Sequence, residues 1–220
     1  MADVFEPLPA LAKPRERLWD LMAETPWLDW QLLTKRPEEV AGMVPWGEDW
    51  PANVWLGTSV ENQEWADKRI PILLSLPAKV RFLSCEPLVG EVDLEMCDWT
   101  PPSLEGFSGT HNPLTGEWWP AVGDPDEEYR NRLTEQPQVN WVIVGGESGP
   151  HARRMDLAWA QRLVDQCDCA EVPCFVKQLG AAYRQPKDSH GADMAYWPES
   201  LRVRQMPESV GTAPGQAVLL

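Results

Sequence analysis

No uninterrupted apolar run in this 220-residue chain approaches the ~20 residues that a membrane-crossing helix needs. The first residues also lack the basic start and apolar middle of a secretory signal. The expected compartment is therefore the cytoplasm. Basic residues are scarce: 19 Lys and Arg stand against 34 Asp and Glu, a formal net charge of -15. A surface that acidic repels phosphate backbones over most of its area, so nucleic-acid binding would need a local basic patch. Lys35, Arg36, Lys177 and the pair Arg153 and Arg154 are the candidates, and for the last two scattered surface charge is the simpler account. Cysteine is sparse and odd in number, five in all. That gives no disulfide framework and fits a reducing compartment.

What is present is ordinary for a globular protein, 43% apolar and 24% charged, and the length suits one domain carrying an insertion. Five short apolar runs each end on a polar cluster: WQLLTKR, VWLGTSVEN, VRFLSCEP, WVIVGGESG and CFVKQ. Runs of that length, mostly followed by helix-like segments, read as buried parallel strands in βα units. The expected strands are 29–34, 53–58, 79–84, 139–145 and a fifth ending at Lys177 and Gln178. If the units curl around an axis, their carboxyl ends form one rim. Thr34, Lys35, Arg36, Ser59, Glu61, Ser84, Cys85, Glu86, Glu147, Ser148, Lys177 and Gln178 would then converge.

Before the first strand, Pro14 opens a segment in which Leu18, Leu21 and Met22 fall at helical spacing, and after it a short helix runs from Pro37 through Val40 and Met43. Glu61 or Asn62 can cap a helix that turns Trp65, Ile70, Leu73 and Leu74 inward and that Pro71 interrupts. A further helix begins near Asp156, with Ala160, Leu163, Val164 and Cys167 on one stripe. Residues 98–138 show no sustained period and read as a lid or a tolerated insertion, with Trp99, Trp118 and Trp119 either over a pocket or packed on the flank. Residues 208–220 read as a mobile tail. Cys167, Cys169 and Cys174 are expected to pack as small apolar thiols, because a helix stripe and a strand start present sulfurs poorly to one point.

LLTKRPEEV, NVWLGTSVENQEWADKRIPILL, VRFLSCEPLVGEVDL, WVIVGGESGPHARRMDLAWAQRLVDQC, VPCFVKQLG and WPESLRVRQMP resemble, in this order, motifs of the phage-associated barrel family named for phage gene products thirty-seven and sixty-eight. That family is similar to radical S-adenosylmethionine (SAM) enzymes. The resemblance covers most of residues 1–207 outside 98–138. It implies an α/β fold, a partial β/α barrel of the radical-SAM type with about five parallel strands and an irregular insertion, in the cytoplasm of a host cell. It further implies SAM at the rim beside a [4Fe–4S] cluster, whose ligands in family members are a Cys-x3-Cys-x2-Cys-Tyr loop after the first strand. No such spacing occurs among Cys85, Cys97, Cys167, Cys169 and Cys174, and Met1 to Phe5 resemble the tail of the family's second strand. The cluster would thus come from a partner chain, and no metal site is assigned to these residues.

By the same resemblance Ser59 and Glu61 would meet the SAM ribose and methionine moiety, Gly145 and Gly146 would let backbone approach the cofactor, and Glu147 and Ser148 would adjoin it. Thr34, Lys35, Arg36, Ser84 and Gln178 would line the rim, with Glu86, Cys85, Glu147 and Lys177 as catalytic candidates. Three function classes stand open. The chain is the carboxyl-terminal part of a radical-SAM-like protein, paired with an N-terminal partner chain or with itself through an exposed sheet edge. Or it is a non-catalytic module binding a host or phage protein through some of its 13 tryptophans. Or it is a cofactor-free hydrolase using Glu61, Glu86 and Glu147.

Overall fold

A computed structural model describes residues 3–97, 109–120 and 136–207. The apolar runs form β1 (Trp30–Thr34), β2 (Val54–Ser59) and β3 (Arg81–Cys85); a hairpin follows, β4 (Gly109–His111) and β5 (Trp118–Pro120), and then β6 (Trp141–Gly145) and β7 (Cys174–Gln178). Five strands make one sheet in the order β1-β2-β3-β6-β7, every neighbouring pair parallel. Strands in a parallel sheet are covered on both faces, which is why β2, VWLGTS, is buried at every position and shows no alternation in sequence.

Among the described residues three α-helices accompany the sheet: α1 (Ala12–Glu24), α2 (Gln63–Ser75) and α3 (Leu157–Cys169). Asn62 caps α2 by accepting from the Trp65 N–H, and Asp156 caps α3 by accepting from the Ala158 N–H, each pairing a donor that the first turn leaves without a helical partner. All three helices feed one core. Trp19 and Met22 of α1, Ile70 and Leu73 of α2, and Leu163 and Cys167 of α3 pack with Leu56, Leu83, Val144 and Val176 of the strands. The opposite face of the sheet carries a second, aromatic cluster of Trp55, Phe82 and Trp141, with Ile143, Phe175 and Met206 against it. Trp141 is its hub, edge-on to Trp55 at 6.2 Å and to Phe175 at 6.0 Å, and its indole N–H donates to the Gln205 carbonyl at 3.0 Å.

The outer edge of β7 is covered by the chain itself: the Val176 N–H donates to Val203 at 2.8 Å and the Gln205 N–H to Cys174 at 2.8 Å. Among the described residues no strand pairs with the outer side of β1. No described helix is long and apolar enough to cross a membrane.

Several expectations need correction. The insertion is not structureless, since β4 and β5 pair within it and Cys97 bridges to His111; strands of three residues are too short to show a period. Trp118 is buried and Trp119 exposed, while Trp99 and the 208–220 tail lie outside the described residues. Pro37–Glu39 is a single 3-10 turn instead of a helix reaching Met43. Helix α1 begins at Ala12, before Pro14, and α2 runs through Pro71. Leu21 and Trp65 face outward. The described Trp65 ring instead lies beneath the Arg69 guanidinium, 4.0 Å away. Cys169 is exposed, whereas the other four cysteines are buried.

Candidate functional site

Strand parity decides which side chains reach the mouth. Trp55, Phe82, Trp141 and Phe175 share the face opposite the described helices, so Ser59, Ser84, Gly145 and Lys177, at even steps along β2, β3, β6 and β7, stand above them on the same face. Ser59 and Ser84 are register partners. Two residues beyond each lie Glu61 and Glu86. Two carboxylates thus crown neighbouring strands, about 4.8 Å apart in strand spacing, over an aromatic floor.

Each acid is met by cations of different character. Glu61 Oε2 accepts from Arg69 Nη1 at 2.8 Å, and the same nitrogen donates to the Ser59 carbonyl at 2.9 Å. Both side chains of this pair are nearly buried, 9% and 11% exposed, so α2 holds Glu61 from below. From above, Lys35 at the end of β1 pairs with Glu61 Oε1, and its own side chain is 53% exposed. Asp3 fixes the backbone there, accepting from the Lys35 N–H at 2.9 Å and from the Thr34 hydroxyl at 2.8 Å. Glu86, 15% exposed, pairs with the open Lys177 Nζ at 3.3 Å. Burial raises the Glu86 carboxyl above its usual range; Lys177 and a Ser84 hydrogen bond oppose that rise without cancelling it.

Lys177 belongs to β7 and Glu86 follows β3, with β6 between them. They meet because Gly145 of β6 has no side chain. A Cβ there would overlap the Glu86 carboxylate, with Cδ at 2.8 Å and Cγ at 2.9 Å. At Gly146 a Cβ would run into the Leu179 carbonyl. The Glu86 carboxylate occupies the room left at Gly145, and the Leu179 backbone that left at Gly146.

The remaining candidates divide. Thr34 is buried on the helix side, where its hydroxyl also accepts from the Arg36 N–H at 2.9 Å. Arg36 pairs loosely with Glu6 at 3.8 Å. Cys85 is fully buried in the helix-side core, its thiol pushed up by burial, so it does not face the mouth. The Cys167 thiol is likewise raised, by a hydrogen bond with Cys174 and by burial, in keeping with the expected packing role. Glu147 is locked into its own loop: Arg153 donates to it from Nε at 2.8 Å, Nη2 at 3.1 Å and the backbone N–H at 2.8 Å, and this pulls its carboxyl down to about 2. Ser148 is exposed on that loop, and Gln178 donates to the Gly146 carbonyl at 3.2 Å.

Sequence reasoning missed Arg69 and Asp3. Arg69 left a trace, since it lies eight residues after Glu61 on the helix that Glu61 precedes, which brings it back under the strand end after two turns. Asp3 left none. A cleft of about 470 Å3 lies at the other end of the sheet against Val80, Val139, Asn140 and Pro173. We place the site at the mouth instead, because parallel βα sheets bind ligands at their strand carboxyl ends and the acid-cation pairs are there.

A family model described as protein of unknown function (DUF5131) matches residues 1–207. No curated protein and no solved structure matches the chain.

Proposed function

We propose, from the premise that this chain belongs to the DUF5131 family, that it forms the wall of an incomplete β/α barrel of the radical-SAM type whose mouth binds SAM or a related adenosyl ligand. Two features support the barrel reading. The strands follow one another in chain order, and the described helices pack on one face, whereas a doubly wound sheet needs helices on both. The observation that carries the ligand reading is the pair of strand-end acids, Glu61 and Glu86, opening into one mouth with an exposed lysine over each.

The residues fit the adenosyl ligand in part. Glu61, braced by Arg69, is a fixed acceptor for the two ribose hydroxyls once Lys35 swings aside, and Ser59 adjoins it. Glu86 and Lys177 offer opposite charges to an amino-acid ammonium and carboxylate. SAM, when bound beside a reduced cluster, supplies radical chemistry; this chain's residues bind and orient it and keep water from the floor. The cluster does not fit: Cys85, Cys167 and Cys174 are packed on the helix side, away from the mouth. In this reading a partner chain in the host-cell cytoplasm supplies the cluster ligands. Calorimetric titration with SAM tests the proposal. Binding should weaken about tenfold or more in Glu61→Gln, as loss of hydrogen bonds to a charged acceptor predicts. No heat at about 1 mM SAM, or equal affinity in the variant, would refute it.

One observation favours the hydrolase as a second reading: burial raises Glu86 while Glu61 sits between two cations, an asymmetry suited to an acid and its partner. Glu86→Gln with unchanged hydrolysis across a substrate panel would remove that reading. The binding-module reading would rest on Trp27, Trp65 and Trp119, which are exposed, since Trp19, Trp50, Trp55, Trp118, Trp141 and Trp197 are buried.

A further inference from the structure

The loops after β6 and β7 fold onto each other beside the mouth. The Ala181 N–H donates to the Glu147 carbonyl at 2.8 Å, and Arg154 Nε donates to the Tyr183 hydroxyl at 3.1 Å with its guanidinium 4.7 Å from that ring. Between them lies a cleft of about 250 Å3 lined by Gly149, His151, Ala152, Ala181, Ala182 and Arg184. His151 and Arg184 face this cleft from opposite loops, both exposed, and among the described residues neither side chain makes a hydrogen bond or ion pair.

The acids nearby are already committed. Glu147 is held by Arg153, Asp156 caps α3, and Asp188 accepts from the backbone N–H groups of Asp193 at 2.8 Å and His190 at 3.1 Å. In a chain of net charge -15, this cleft holds an Arg184 guanidinium that no described carboxylate pairs with, opposite the His151 imidazole. Its other walls are glycine and alanine, which expose backbone. His151 is held at φ 65 and Gly149 at φ 105, left-handed conformations that turn this loop back over the cleft. In β/α barrels the loops after the last two strands are where phosphate groups are commonly held.

We propose that this cleft binds the phosphate monoester group of a small substrate, with Arg184 as its principal ligand and His151 opposite. The inference goes beyond the adenosyl reading and shares with it the barrel reading of the sheet, not the ligand. The volume is below the ~300–1,000 Å3 of pockets that take whole drug-sized ligands, so it suits one terminal group. A nucleic acid would need several unpaired cations in a row and a less acidic surface.

The test is an amide chemical-shift titration of the full chain with inorganic phosphate and with phenyl phosphate. Saturable shifts confined to 149–152 and 181–184, with a Kd of about 1 mM, are expected. Arg184→Ala should weaken both ligands about tenfold, and Arg184→Lys should retain part of the binding. Because Arg184 makes no side-chain bond, the spectrum elsewhere should match the wild type. Absence of saturation by about 20 mM, or unchanged affinity in Arg184→Ala, overturns the proposal. So does a single-stranded oligonucleotide that binds more tightly than phosphate with a steep salt dependence. SAM titrated into the same samples separates the two readings: phosphate shifts without SAM binding sink only the adenosyl site, and the reverse sinks only this cleft.

Discussion

Replacing Arg69 by methionine removes the one cation that holds Glu61 from within the protein. Two bonds go, to Glu61 Oε2 at 2.8 Å and to the Ser59 carbonyl at 2.9 Å, from a pair whose side chains are 9% and 11% exposed. Breaking a buried ion pair by deleting one partner costs about 3–5 kcal/mol, because the remaining charge is left uncompensated. Lys35 still reaches Glu61, but it is 53% exposed and a solvent-screened pair offsets at most ~1 kcal/mol. The expected loss is therefore about 3 kcal/mol, or a Tm lower by roughly 6–12 °C in a chain of this length. Urea unfolding followed by tryptophan fluorescence and by circular dichroism measures it, and the cycle with Glu61→Gln should give a coupling of about 2 kcal/mol. A loss below about 1 kcal/mol, or strict additivity of the two substitutions, would show that Glu61 does not rely on Arg69.

Gly145→Ala should destabilise by about 1–3 kcal/mol through overpacking against Glu86, and should part Glu86 from Lys177; denaturant titration with and without Lys177→Met reads both effects. Glu86→Gln tests the sign of a raised carboxyl. The unfolded chain ionises first, so the stability this group contributes is present at low pH and is lost as pH rises through the folded value. The variant should then match the wild type near pH ~3.5 and exceed it near pH ~7 in thermal melts, and a variant that is less stable at neutral pH contradicts the burial argument. Glu147 has the opposite sign. Its carboxyl, drawn down to about 2 by Arg153, contributes above the ordinary carboxylate range and loses that contribution as pH falls toward 2; carboxyl NMR should find this midpoint and see it return to the ordinary range in Arg153→Ala.

Much of this architecture was legible in the sequence because fully buried parallel strands need unbroken apolar runs. All five were placed to within about two residues, and the helix stripe Ala160, Leu163, Val164 and Cys167 is buried as spaced. The misses share a cause. A period shows that a segment has an inner face but says nothing of neighbours distant in sequence, so Leu21 and Trp65 could not be told from core. At the rim, the alternation of β3 separates Ser84 and Glu86 from Cys85, a distinction the sequence offers once the strand is fixed. What it does not offer is reach: nothing in the sequence tells that Glu86 spans β6 to Lys177, which depends on the empty position at Gly145.

The two sides of the main sheet are unequally finished. The segment at Val203 to Gln205 runs along β7 and occupies its hydrogen-bonding groups, while among the described residues β1 has no such neighbour. For strand addition from outside, the β7 flank is thus closed by the chain's own backbone, and among the described residues β1 is the flank whose strand edge has no strand beside it.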